Sequence, residues 1–466
     1  MGGRRGCPGC LRPVVVAPPD LPPPREALGL VERLAQAPWL ARPPVALPDL
    51  HWKPRLEAPS SLATATEEVL VLGLTSPSPH CGMGLALTAV GADFATPERL
   101  GRFFSALSAR LDPRRGEPVL DESALDAVLL GGIPAWRERE ERVAVMEVMD
   151  GEGAAFSPDE VDARRADILR TVPSWLRPLA RREFGLVGRG NHFLEMQVVE
   201  ELLDPATAAE WGVEIGQVVL MAHADSGHLG AVLGRLFAHR RKNTRRGRWL
   251  EWRAKLPYHL RRASSAGAVL ERARLFWPGR WVPIPADSET GRLCRWALGA
   301  AANYAAAGRL ALWGEVAAAL AAAGGPGRVR LLWDAPHNTI RREEVDGRRL
   351  WVHRHNAACV LLDRPVLLPG CARTSSLLCA GEAGAGAALN SASHGAGRAA
   401  ERLGWTFGEV GGGTRLYGYD GAPPRVVSYL SDNGVWAVAG ALAAHSIARP
   451  VARLRPVATL KDGGAR

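Results

Sequence analysis

Short apolar runs, each closed off by turn residues, alternate with capped helical segments along this chain, which confines it to a mixed α/β or α+β architecture. The runs Val69 to Leu74, Gln217 to Met221, Arg328 to Trp333, Trp351 to His353, Val360 to Leu362 and Val366 to Leu368 read as strands. Thr96-Pro97-Glu98 opens a helix through about Arg110, and Ser157-Pro158-Asp159-Glu160 opens another through about Leu169. Each pairs an N-cap side chain with proline at the first helical position. The most apolar stretch, Ala297 to Gly325, is interrupted by Asn303, Arg309 and Glu315, so it reads as a buried or amphipathic helix pair and not as a membrane span.

Prolines crowd Pro13 to Arg25, and proline removes backbone donors. Residues 1–25 therefore read as a flexible Pro/Arg-rich leader, and residues 26–466 as a single domain, since no later stretch has the composition of a linker. With 47% hydrophobic and 23% charged residues, disorder is excluded. Seven cysteines in 466 residues form no disulfide framework, which predicts reduced thiols and a cytoplasmic location. Cys7 and Cys10 make a lone CxxC without the second pair that structural zinc needs. No apolar core of signal-peptide length comes after the first arginines. The net charge is +10, almost all from arginine, with lysine only at Lys53, Lys242, Lys255 and Lys461. Arginine favours phosphate partners, although a genome-wide preference for arginine produces the same excess.

The histidines carry the chemistry. Asn191, His192 and Glu195 follow two glycines in GRGNHFLE; His223 ends an apolar run in VVLMAHADSG; His337 and Asn338 follow a strand and a proline in WDAPHN; Cys81 sits in the turn SPHCGMG. A thiol and several imidazoles at strand ends suit a transition metal, whereas hard oxygen ligands would suit Mg or Ca. An ordinary hydrogen-bonded role for each histidine, and a small buried hydrophobe at Cys81, are the alternatives. SASHGAGR places His394 before Gly395, Ala396, Gly397 and Arg398, which fits either a nucleotide cradle with a nucleophilic imidazole or a glycine-rich turn entering a helix.

These elements, in this order, resemble the RtcB-type RNA ligases, the GTP- and manganese-dependent enzymes of tRNA splicing and RNA repair. The resemblance also takes in PDLH (Pro48 to His51), PIPADSETG, the VHR strand, LLPG and the terminal VARLRPVATLK. It implies an RtcB-like fold of mixed sheets and surrounding helices around a central metal and nucleotide pocket. It makes Cys81, His192, His223 and His337 ligands of one or two Mn2+ ions, with Cys81 bridging, and His394 the nucleophile that accepts GMP from GTP. Asn191, Glu195, His337, Asn338, Pro369, Gly370, Ser376, Gly395, Ala396, Gly397 and Lys461 would line the guanylate site. The implied reaction joins an RNA 3′-phosphate or 2′,3′-cyclic phosphate end to a 5′-hydroxyl end. Implied partners are tRNA halves or broken RNA ends and an archease-like activator, with the enzyme a monomer and no membrane involved.

The chain also departs from the family pattern. Ser78 stands where the family's Asp-x-x-Cys turn has aspartate, with His80 as a candidate replacement; Gly370-Cys371-Ala372-Arg373 replaces a Gly-Ser-Met-Gly loop. His353-Arg354-His355-Asn356-Ala357-Ala358 replaces His-Arg-Lys-Gly-Ala-Thr, and His223-Ala224-Asp225 replaces His-Ser-Gly. These changes motivate a second reading, an RNA-end binding or sensing homologue with lost or weakened ligase activity, and a third, a metal-dependent phosphohydrolase. Ten basic residues between Arg240 and Arg262, interleaved with Trp249, Trp252 and Tyr258, form either a strip for RNA phosphates and bases or a solvated helix face.

Overall fold

In the computed structural model, residues 11–462 are described except 53–55, 77, 113–118, 146–153, 189, 239–244, 277–280 and 406–411. A ten-stranded mixed sheet forms the centre. Four of its neighbouring strands run antiparallel in the order Phe193–Leu202, Gln217–Ala224, Gly82–Gly91 and Val329–Pro336. The end of one strand and the start of the next therefore share one edge of the sheet. A second sheet of five strands is built from Val14–Val15, Val45–His51, Ser60–Thr66, Arg348–His355 and Asn338–Val345. His337 is the residue between Val329–Pro336 of the first sheet and Asn338–Val345 of the second, so it lies at the seam where the chain leaves one sheet for the other.

One helix, Glu289–Ala322, fills the space that the sequence divides into a helix pair. Its apolar surface wraps most of its circumference, which suits a helix buried among others and not one lying on a surface. It is long and apolar enough to cross a membrane, yet 72% of its most apolar window is buried within the fold. The polar residues that interrupt it are all partnered. Asn303 donates to Leu129 O and Leu130 O and accepts from Ala155 N, Glu315 pairs with Arg110, and Arg309 pairs with Asp334. Such partners are what keep buried polar groups from costing stability.

The two capped helices form as Pro97–Leu111 and Pro158–Arg170, with Thr96 and Ser157 accepting the expected backbone N–H groups. Two strand expectations are corrected. Val69 to Leu74 is a strand only at Val69–Leu70 and then a 3-10 turn at Leu72–Leu74. Val360 to Leu362 is the loop between Ala357–Cys359 and Pro365–Leu368, with Val360 buried and Leu361 and Leu362 exposed. The flexible leader is also corrected over residues 11–25. Val14 and Val15 pair in parallel with Val45 and Ala46, and Val16 and Leu21 are buried. The prolines do not prevent this, because Val14 N and Val16 N supply the donors to Pro44 O and Ala46 O. Cys7 and Cys10 lie outside the described residues.

Candidate active site

Cys81, His192, His223 and His337 meet at the shared edge of the central sheet. Cys81 and His192 immediately precede the strands Gly82–Gly91 and Phe193–Leu202. His223 lies across from Met83 on one side and Phe193 on the other. Sγ of Cys81 is 3.2 Å from Nε2 of His192 and 3.1 Å from Nε2 of His223. The donor atoms of these three residues all lie within 4.8 Å of one another. His337 joins through His223, with the two Nε2 atoms 3.3 Å apart. All four side chains are buried.

The electrostatics suit a cation. Burial, followed by the neighbouring imidazoles, holds His223 and His337 well below the ordinary histidine pKa, so both rings are neutral. Neutral imidazole is the form that ligates. Nδ1 of His223 donates to Asn191 O at 3.2 Å, which directs the Nε2 lone pair at the cluster. Burial and then the charge of Asp225 push the Cys81 thiol well up, and a divalent ion would reverse that shift by favouring thiolate. A buried thiol with three convergent imidazoles fits a transition metal.

Backbone and buried charge hold the cysteine turn in place. Arg309 makes a two-pronged pair with Asp334, both side chains 2% exposed, and its remaining nitrogen donates to His80 O. His80 N donates to Asn338 O, and His337 N donates to Cys81 O. A Cβ at Gly82 would come within 2.9 Å of Ala335 O and of the Arg309 guanidinium carbon, so glycine is required there. His80, the candidate replacement ligand, has φ 58° and lines a separate cavity with Arg295, Arg342 and Trp351.

His394 follows the strand Ser391–Ser393, which pairs with Ala357–Cys359. Its ring centroid lies 4.6 Å from that of His337. Nδ1 donates to Asn356 O at 3.1 Å, so the lone pair is carried by Nε2. Asn356 has φ 49°, a left-handed conformation that asparagine tolerates better than most residues. Oδ1 of Asn338 accepts from Asn356 N at 2.9 Å, so Asn338 supports the backbone that orients His394. On the other side, buried Asp49 accepts from Ala399 N and its own N–H donates to Ser393 Oγ, bracketing the histidine turn. Burial pushes the Asp49 carboxyl up to about 7.

Several other expected residues form one hydrogen-bonded row. Thr459 Oγ1 and Gln197 Nε2 each donate to Glu195 at 2.7 Å, Gln197 also reaches Ser376 Oγ at 3.0 Å, and Ser376 accepts from Gly370 N at 3.2 Å. Burial pushes Glu195 up to about 7, against the lowering effect of these bonds. Pro369 O accepts from Ala396 N at 2.8 Å, and a Cβ at Gly395 would stand 3.2 Å from Pro369 O. The Pro369-Gly370 turn and the Gly395-Ala396-Gly397 turn are thus packed together. Lys461 ends the strand Ala448–Lys461 opposite Phe193, two residues after Thr459 and on the same face.

The family model described as tRNA-splicing ligase RtcB matches residues 30–404. The chain belongs to the RtcB family. The RNA-splicing ligase RtcB of Mycobacterium tuberculosis is 29% identical over 406 residues, covering 80% of this chain and 84% of that protein. The tRNA-splicing ligase RtcB of Methanococcus maripaludis is 26% identical over 405 residues, 80% of this chain and 76% of the other. That of Pyrococcus horikoshii is 31% identical over 321 residues, 60% of this chain and 33% of the other. The mixed fold agrees with RtcB membership.

Asn356 stands at the family's glycine position and has the left-handed φ of 49°. Arg309, Asp334, Asp49, Gln197 and Thr459 are site residues to which sequence reasoning gave no role, and Asp225 and Asn356 stood out there only as departures from the family pattern. The acidic residue two positions after His223 was the available signal for Asp225; nothing local pointed to Arg309 and Asp334 as a pair. The basic strip is only partly described. Arg240, Arg241 and Lys242 lie outside the described residues, as do the side chains of Arg245, Arg246 and Arg248. Trp249 and Trp252 are exposed, whereas Tyr258 and Lys255 are buried, with Lys255 donating to Ala238 O and Leu275 O. Tyr258 and Lys255 therefore belong to the core and offer nothing to RNA.

Proposed function

We propose that this chain is an RNA ligase that uses GTP and Mn2+ to join an RNA 3′-phosphate or 2′,3′-cyclic phosphate end to a 5′-hydroxyl end. The observation that carries this reading is the nucleophile's placement. His394 has its Nδ1 proton committed to Asn356 O and its ring 4.6 Å from His337 of the thiol and imidazole cluster. Nε2 would form a bond to the α-phosphorus of GTP as the bond to the bridging oxygen breaks and pyrophosphate leaves. The GMP then passes to the RNA 3′-phosphate, after opening of any cyclic phosphate, and the 5′-hydroxyl displaces it. Mn2+ held by Cys81, His192, His223 and His337 would supply neutralisation of phosphate charge.

Asn191, Glu195, Asn338, Pro369, Gly370, Ser376, Gly395, Ala396, Gly397 and Lys461 form the guanylate site in this reading. The contact of the Pro369-Gly370 turn with the histidine turn supports a shared pocket, and Lys461 brings a scarce lysine to a strand end beside Thr459. Broken tRNA or other RNA ends are the substrates, an archease-like protein is the activator, and the enzyme acts as a cytoplasmic monomer. Exposed Trp249 and Trp252 provide faces on which RNA bases would stack. The test is incubation with GTP labelled at the α-phosphate and Mn2+. Wild type becomes labelled and His394→Ala does not; equal labelling of both removes the assignment.

A further inference from the structure

Ser78, three residues before the cysteine, cannot supply a carboxylate to the cluster. A carboxylate is nevertheless present there, and it comes from a different strand. Asp225 follows the strand Gln217–Ala224. Its Oδ1 accepts from Gly227 N at 2.9 Å, a local turn that fixes the carboxylate's orientation. Its Oδ2 accepts from Ser78 Oγ at 3.1 Å and lies 3.7 Å from Nε2 of His192. The donors thus run in a row: Asp225, His192, Cys81, His223, His337, with successive separations of 3.7, 3.2, 3.1 and 3.3 Å. Each successive pair stands at a separation that two ligand atoms about 2.0 to 2.3 Å from a shared ion can have.

We infer that Asp225 is a metal ligand that replaces the carboxylate absent at Ser78, completing a site with His192 and Cys81. The inference rests on the metal-dependent reading above and adds to it a residue of this chain. Two further observations agree with it. Ser78 is small enough to leave room for Asp225 and donates to it, where an aspartate at 78 would set two carboxylates against each other. Gly188, with φ 93°, passes so close that a Cβ would fall 2.9 Å from Nδ1 of His192 and 3.2 Å from Oδ1 of Asp225. The backbone on that side is therefore shaped around this pair.

The test measures metal and does not require turnover. Full-length wild type, Asp225→Asn and the exchanged double variant Ser78→Asp with Asp225→Ser are stripped of metal and titrated with Mn2+ by equilibrium dialysis and elemental analysis. Each is also titrated with Co2+, whose thiolate absorption band reports Cys81. Asp225→Asn is expected to lose one Mn2+ per chain or to bind it at least about tenfold more weakly. Its cobalt band persists, because Cys81, His223 and His337 are untouched, and the double variant regains Mn2+. Unchanged Mn2+ binding in Asp225→Asn overturns the inference, as does failure of the double variant to recover with its cobalt band intact. A wild type that binds neither ion overturns the metal-dependent reading itself, a result distinct from either of these.

Discussion

Sγ of Cys81 lies 3.1 Å from Nε2 of His223, although 142 residues separate them in the chain. Neither side chain is charged as it stands, since burial raises the thiol's pKa and lowers that of the imidazole. The pair is therefore a neutral donor set, and its coupling to a cation involves the thiol proton alone.

Metal binding at neutral pH should accordingly release about one proton per thiolate formed at this pair, because His223, like His337, is already deprotonated. Calorimetric titration with Zn2+ in buffers of different ionisation enthalpy measures the number. Cys81→Ala should abolish the release and the cobalt thiolate band together. Release of about two or more protons would mean that His223 or His337 is charged beforehand.

The Arg309 and Asp334 pair should respond asymmetrically to substitution. Asp334→Ala leaves a buried guanidinium without its counter-charge and is expected to cost about 3 to 5 kcal/mol in denaturant unfolding. The combined change Arg309→Met with Asp334→Leu should cost less than Asp334→Ala alone. Because Arg309 also donates to His80 O, the double variant should keep its stability better than its metal affinity.

Glu195 makes the protein's stability depend on pH. Its carboxyl has an ordinary value of 4.5 and is raised to about 7 by burial, so between these values the folded chain holds a proton that the unfolded chain has released. Stability therefore falls as pH rises through that window, and the cost is complete above about 7. Glu195→Gln should match wild type near pH 4.5 and exceed it by up to about 3 kcal/mol at pH 8. Denaturant curves at several pH values check this, and a constant difference across the range would contradict it.

Asn356 should tolerate glycine and reject a β-branched residue. Asn356→Gly keeps φ at 49° without strain, and the carbonyl that accepts from His394 stays in place. Asn356→Val forces a costly left-handed backbone, about 1 to 2 kcal/mol, and should lower the rate of protein labelling by GTP well beyond its effect on stability. Labelling rates and unfolding curves for both variants separate the two effects.

The helix caps at Thr96 and Ser157 and the strands Gln217–Ala224 and Val329–Pro336, which bring in His223 and His337, were legible in the sequence, because N-cap chemistry and apolar runs are local properties. The motifs around Cys81, His192, His337 and His394 named the family and its chemistry for the same reason: each is a contiguous stretch. Other features were not legible. The Ala297 to Gly325 stretch read as two helices because its polar interruptions looked like breaks; in the fold they are Asn303, Arg309 and Glu315, each answered by a partner far away in sequence. The prolines after Pro13 read as a leader because a ladder partner at Val45 is not visible from Val14.

By itself the sequence determined the mixed α/β class, the family, and the thiol and imidazole groups of the candidate site, which are matters of residue type and short spacing. Only the tertiary structure decided that Asp225 stands beside Ser78 and His192, that Asn356 orients His394, and that Tyr258 faces the core. Those relationships depend on which strands become neighbours and where a buried surface closes. They are set by packing between distant segments, which local periodicity does not encode.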